Sequence, residues 1–287
     1  MDWGMKNRLA RIINPETGRA LMLAVDHGYF LGATTGLEEA GKTIAPLLPF
    51  TDSLMLTRGI LRTCVDPRNN VPIVLRVSGG NSILDEDLSQ EDITVSIQDA
   101  VRLNVAAMAL SIYVGSAYQH KTLVNLAKLV DLGEDNGIPV LAVTAVGKNM
   151  ARDERYLSLS CRIAAELGAH MVKTYYCENF PALIKKCPIP VVIAGGKKIP
   201  ERDALELTYN ALSDGAQGVD MGRNIFQAEA PVAMIQAVRT IVHDGFSIKK
   251  AYALYQALKK KKNGQLQSRA SIHRKRPKTF VLSPKNV

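Results

Sequence analysis

Short apolar runs alternate with longer amphipathic stretches all the way from residue 20 to residue 222. The apolar runs fall at 20–26, 52–57, 72–77, 105–113, 138–144, 169–176, 189–196 and 217–222. Most are almost continuously apolar and rich in Val, Ile, Leu, Met and Ala, which predicts parallel strands buried on both faces. The last, QGVDMG, is the weakest of them. Helical periodicity fills the gaps at 96–104, 120–137, 152–169 and 201–216. Gly137, Gly168 and Gly215 stand where helices should stop, and Pro72, Pro139, Pro188 and Pro190 stand at strand entries. Eight such units predict an α/β fold, the (β/α)8 TIM barrel. A doubly wound open sheet is the alternative, but its G-x-G-x-x-G fingerprint is absent.

The chain has 287 residues, 47% of them apolar and 22% charged, enough to bury one barrel-sized core. No stretch approaches twenty consecutive apolar residues, so no membrane helix is expected. The opening MDWGMKNRLARI lacks the apolar segment of a secretory signal. Cys64, Cys161, Cys177 and Cys187 are far apart, with no C-x-x-C pair. Neither a disulfide framework nor a structural zinc is expected, and a cytoplasmic location is. The five histidines are scattered, so no metal site is expected either.

The net charge of +9 is local in origin. Ten of the 36 basic residues and none of the 27 acidic ones lie in 259–287, so residues 1–258 are close to neutral. This divides the chain into one barrel domain with a terminal helix, 1–258, and a basic tail, 259–287, expected to be disordered and solvated. Weak contact with nucleic acid or another polyanion is the alternative for the tail.

Chemistry in a barrel sits where strands end. Those positions hold Asp26-His27-Gly28-Tyr29-Phe30, Thr144 followed by Ala145-Val146-Gly147-Lys148, Lys173, Gly195-Gly196-Lys197-Lys198 and Gly222-Arg223-Asn224. Lys173 lies inside the apolar run MVKTYY. Desolvation there disfavours the ammonium and favours an amine able to attack a carbonyl; an inward lysine paired with Asp26, without chemistry, fits the position equally. Asp26 could pair with an amine, move protons or cap a loop. His27 could act as a base, but strand alternation would point it away from Asp26. Gly195, Gly196 and Gly222 would let backbone N–H groups approach an anion. A following helix N-terminus would add its dipole, and Arg223 a charged contact. Cys177 reads as a small packed residue.

The segments LAVDHGYF, TRGILR, VKTYY, IAGGKK and GVDMGRNIFQ carry a resemblance, joined in order by DWGM, RIINPETG, TTGLE, SGGNSIL and AVGK. Over about residues 2–256 the chain resembles the Schiff-base aldolase family that includes archaeal-type class I fructose-bisphosphate aldolase. The resemblance implies a cytoplasmic (β/α)8 barrel assembled as a homo-oligomer such as a decamer of two rings. It implies Lys173 as the Schiff-base lysine, Asp26 as the proton-transfer acid, and substrate contacts from His27, Gly28, Tyr29 and Phe30. It implies phosphate contacts from Gly195, Gly196, Gly222 and Arg223. Aldolases of this family carry Tyr-Pro-Arg after the fifth strand, whereas this chain has Thr144-Ala145-Val146, with Thr144 counted among the substrate contacts. Thiolase-like members of autoinducer-2 degradation also lack that Tyr. The implied reaction is therefore acetyl transfer from a phosphorylated diketone to coenzyme A as co-substrate, with no bound cofactor, giving acetyl-CoA and dihydroxyacetone phosphate. The alternatives are a sugar-phosphate aldolase and a non-catalytic barrel whose tail binds nucleic acid.

Overall fold

The computed structural model describes residues 1–145 and 152–274, with side chains described through Lys261. Eight parallel strands close into a barrel: β1 (Ala20–Ala24), β2 (Ser53–Thr57), β3 (Ile73–Arg76), β4 (Ala107–Ile112), β5 (Val140–Thr144), β6 (Met171–Tyr175), β7 (Val191–Ala194) and β8 (Gly218–Met221). Each apolar run read from the sequence contains one of them. Pairing of β8 with β1, in register from Ala20 opposite Gly218 to Leu23 opposite Met221, closes the ring and excludes the open sheet. The long helix Gln119–Asn136 ends where Gly137 adopts φ 63, a left-handed conformation that costs glycine little.

Alternation along the strands sorts side chains into two packed layers. Met22, Met55, Val74, Leu141, Met171 and Val192 point inward and fill the barrel together with small alanines. Leu21, Leu23, Leu54, Leu56, Leu75 and Ile193 point outward beneath the helices, in the larger apolar layer. Burying each such side chain contributes about 2 kcal/mol.

The two ends of the barrel differ. Helix Trp3–Ile12, begun by the Asp2 carboxylate accepting from the Met5 amide at 2.7 Å, brings Leu9, Ile12 and Ile13 onto the interior alanines and methionines. Also at this end, Asp52 accepts from the Leu21 amide and His243 Nε2, both at 2.7 Å, and from Arg239 at 2.9 Å. Towards the C-terminal ends of the strands the inward positions become polar: Arg76, Ser111, Lys173 and Asp220, with Asp26 just beyond β1. After β3 a short antiparallel ladder, Ser78–Gly79 with Asp92–Ile93, turns the chain back over this end.

The last helix runs Ile248–Arg274. It continues past residue 258 into the basic stretch that composition reads as a solvated tail, because lysine is a good helix former and like charges alone do not end a helix. Residues 275–287 of that tail lie outside the described residues. Among the described residues no helix is long and apolar enough to cross a membrane.

Candidate active site

A cavity of about 340 Å³ opens at the C-terminal end of the strands. Asp26, His27, Tyr29, Phe30, Thr144, Lys173, Gly195, Gly196, Gly222 and Arg223, scattered over the sequence, all line it. Gly28 does not. It begins the short helix Gly28–Leu31 and faces a neighbouring cleft. Of the loop after β5, Val146, Gly147 and Lys148 lie outside the described residues.

Lys173 is inward and 8% exposed, in register with Val143 on one side and Val192 on the other. Its Nζ stands 2.8 Å from Asp220 Oδ2 and 3.7 Å from Met55 Sδ. The partner is thus Asp220 of β8, reached across β7, and Asp26 is engaged elsewhere. Burial pushes the Asp220 carboxyl up, with Lys173 opposing. Asp220 Oδ2 is thus within reach of a proton on the amine nitrogen.

Asp26 accepts from Arg76 Nε at 3.0 Å, and Arg76 also donates to Ser111 Oγ at 2.7 Å. Burial alone would raise the Asp26 carboxyl. Arg76, Lys173 and His27 outweigh it and hold the group below the usual aspartate range. Asp26 is therefore an anion at neutral pH, able to accept a proton. His27 Nδ1 lies 3.9 Å from Asp26 Oδ1, nearer than strand alternation implies. The reason is that β1 ends at Ala24, and His27 already has helical backbone angles. Burial, reinforced by Lys173, Arg223 and Arg76 against the pull of Asp26, lowers His27 to about 4. Its ring is neutral at pH 7 and packs edge-on against Phe226.

The glycine turns form the β7–β8 side of the rim, next to His27. Gly196 has φ 70, with nothing within 4 Å of where a Cβ would stand. At Gly222 a Cβ would strike the Ala24 carbonyl and the His27 ring, so only glycine fits. Asn224 ties the two turns together: its amide donates to the Gly195 carbonyl at 2.6 Å and accepts from the Ile199 amide at 2.9 Å. Helix dipoles contribute less here than the sequence suggests. The helix after β8 has only four residues, Arg223–Phe226, and the helix after β7 starts at Glu201, beyond the turn. Cations take their place. Arg223, Arg152 and Lys197 all line the cavity, and the Arg152 guanidinium lies 3.9 Å from the centre of the Tyr175 ring. Arg223 Nε is buried without a hydrogen-bond partner among the described residues, and burial lowers the arginine from its ordinary value.

On the β3 side, the buried Glu91 accepts from Tyr29 and Ser78 hydroxyls at 2.6 Å, from Tyr113 at 2.9 Å and from Asn81 at 3.4 Å. This network fixes the loop bearing Asn81 and Leu88 against the cavity. Thr144 borders the cavity, but its hydroxyl donates to Thr174 Oγ1 at 2.8 Å in the barrel wall. Sequence reading missed Asp220, Arg76, Arg152 and Glu91. The first two carried a usable signal: each is a charge at an inward position of an apolar strand, as Lys173 is.

A closed parallel barrel with an amine–carboxylate pair inside and a cationic, glycine-lined rim above it has the architecture of an aldolase barrel. The chain belongs to the DeoC/LacD aldolase family, whose model matches residues 20–228. It is 58% identical over 256 residues to 3-hydroxy-5-phosphonooxypentane-2,4-dione thiolase of Photorhabdus laumondii, a match covering 89% of this chain and 88% of that one. It is 59% identical over 256 residues to an uncharacterized aldolase of Pasteurella multocida, with the same coverage of 89% and 88%. Among solved structures it is similar to an archaeal fructose-1,6-bisphosphate aldolase with the catalytic Lys covalently bound to the carbinolamine intermediate of the substrate. The TM-score is 0.75 at 25% identity, over 83% of this chain and 99% of that one.

Proposed function

We propose that this protein is a Schiff-base thiolase that cleaves 3-hydroxy-5-phosphonooxypentane-2,4-dione with coenzyme A, giving acetyl-CoA and dihydroxyacetone phosphate. The observation that carries the reading is Lys173 buried beside Asp220, in one cavity with the cationic glycine rim. Identity of 58% to a thiolase of that name supplies the substrate.

The phosphate binds at Gly195, Gly196, Gly222 and Arg223, with Arg152 and Lys197 adding charge. Lys173, having given a proton to Asp220, attacks the ketone carbon next to the phosphorylated methylene, and loss of water leaves an iminium. Asp26, or the neutral His27 beside it, takes the proton of the thiol. The thiolate adds to the acetyl carbonyl. The bond between that carbonyl carbon and the hydroxyl-bearing carbon breaks, and its electron pair flows into the iminium. This releases acetyl-CoA and leaves an enamine on Lys173. The proton taken from the thiol returns to the enamine carbon, and water releases dihydroxyacetone phosphate. Arg76 holds Asp26 in place and favours its anion, ready to take that proton. Tyr29 and Phe30 wall the substrate. We assign the enzyme to the cytoplasm, as a homo-oligomer acting in autoinducer-2 degradation, in keeping with the resemblance.

A sugar-phosphate aldolase is the second reading, favoured by the likeness to the archaeal aldolase at 25% identity. It lacks support at Thr144, whose hydroxyl is committed to Thr174. Two assays on the purified protein separate the readings: CoA-dependent acetyl-CoA formation from the diketone, and cleavage of fructose 1,6-bisphosphate. Borohydride with the diketone should fix a mass adduct on Lys173. An unmodified Lys173 rules out both readings.

A further inference from the structure

Beside the substrate cavity, between the ends of β1, β2 and β3, lies a second and larger cleft of about 540 Å³. The steps above leave it unused. We propose that this cleft receives the pantetheine arm of coenzyme A, with Arg58 at its rim and Arg62, one turn further along the same helix, meeting the nucleotide phosphates. The assignment rests on the thiolase reading.

Three observations carry it. The first is continuity: Tyr29 and Arg76 line both the cleft and the substrate cavity, so an occupant of one abuts the other beside Asp26. The second is the wall. Val25, Leu37, Ala40 and Ile60 alternate with glycines, and a Cβ at Gly59 or Gly80 would meet nothing within 4 Å. An apolar slot with exposed backbone suits a slender chain that carries amides and no charge. The third is charge. Arg58, Arg62 and Arg102 converge on the single buried Asp99, at 3.1, 2.6 and 3.0 Å. Three guanidiniums against one carboxylate leave a net positive cluster, and Arg58 and Arg62 are 45% and 50% exposed. Arg58 itself lines the cleft. That cluster complements a polyphosphate, and it is separate from Arg223, which lines the substrate cavity after β8 on the other side of β1. A thiol entering here, from the β2 side of β1, approaches the acetyl end of a ketone whose phosphate is held on the β7–β8 side.

The test uses two variants of the full chain. Gly59→Leu fills the cleft from a helix position with room for a side chain, and R58A/R62A removes the rim charge. Both should raise KM for coenzyme A about tenfold, the usual scale for losing a charged contact or a packed one. KM for the diketone and the borohydride yield on Lys173 with diketone alone should not change. With N-acetylcysteamine, a thiol without phosphates, Gly59→Leu should still raise KM and R58A/R62A should not. An active wild type with KM for coenzyme A unchanged in both variants overturns the cleft assignment and leaves the thiolase reading standing. A wild type that makes no acetyl-CoA overturns the thiolase reading, and the assignment with it.

Discussion

Lys173 Nζ and Asp220 Oδ2 meet at 2.8 Å across the intervening strand β7, both inside the barrel. A closed sheet makes this possible: inward positions on alternate strands occupy one layer, so residues 47 positions apart in sequence become partners. The pair sets the electrostatics of the site. Lys173 has a carboxylate of its own in Asp220, and Asp26 pairs with Arg76.

Lys173→Met should abolish the borohydride adduct and lower acetyl-CoA formation by about 10³-fold or more, as removal of a covalent nucleophile does. Asp220→Asn keeps the shape but cannot take the amine's proton. It should slow adduct formation measured by quenched-flow mass spectrometry while leaving KM for the diketone within about twofold.

Arg223→Met should raise KM for the diketone about 10–100-fold, the scale of one charge-assisted contact to phosphate. Competitive inhibition by inorganic phosphate should weaken in parallel, while KM for coenzyme A holds.

The neutral His27 sets a pH prediction. With its value lowered to about 4, the ring gains a proton only as pH falls through that point. The profile of kcat/KM should show no His27 inflection between pH 6 and 7, and His27→Gln should remove none. Tracking the His27 Cε1 proton by NMR from pH 8 to 5 should find it unshifted.

Stability should respond to acid at the opposite end of the molecule. Burial would raise Asp52, but hydrogen bonds from His243, Leu21 and Arg239 outweigh it and lower the carboxyl below 3.8. Its stabilisation is therefore present above pH 3.8 and is lost as pH falls through the lower folded value. Asp52→Asn should cost about 2 kcal/mol at pH 7. Thermal unfolding should show the gap to wild type closing as pH drops below 3.8.

Gly222→Ala should lower Tm by the equivalent of about 1–3 kcal/mol, since the added methyl runs into the Ala24 carbonyl and the His27 ring. Activity should fall with it, because His27 must move.

The strands were legible because each is an apolar run long enough to stand out between helical periods. Lys173 was legible because a charge inside MVKTYY conflicts with its surroundings. Asp220 carries the same conflict, but it sits in a short glycine-rich run where the strand itself reads weakly. Glu91 and Arg152 lie in loops, where polar residues are ordinary; only tertiary folding brings Glu91 to Tyr29 and Tyr113, and Arg152 to Tyr175. His27 was placed too far from Asp26 because period-two alternation was carried past the true end of β1. The helix-dipole expectation failed for a related reason: helix lengths after β7 and β8 depend on packing that periodicity does not report.

Helix Trp3–Ile12 gives the barrel a floor of leucine and isoleucine. With methionines stacked above that floor, the vessel is closed below, and among the described residues the cavity and its neighbouring cleft open at the other end. In the proposed reaction a ketone tethered to Lys173 would occupy the depths, so its reaction partner would come second and depart first. The thioester would then go out before water reclaims the remaining three-carbon fragment.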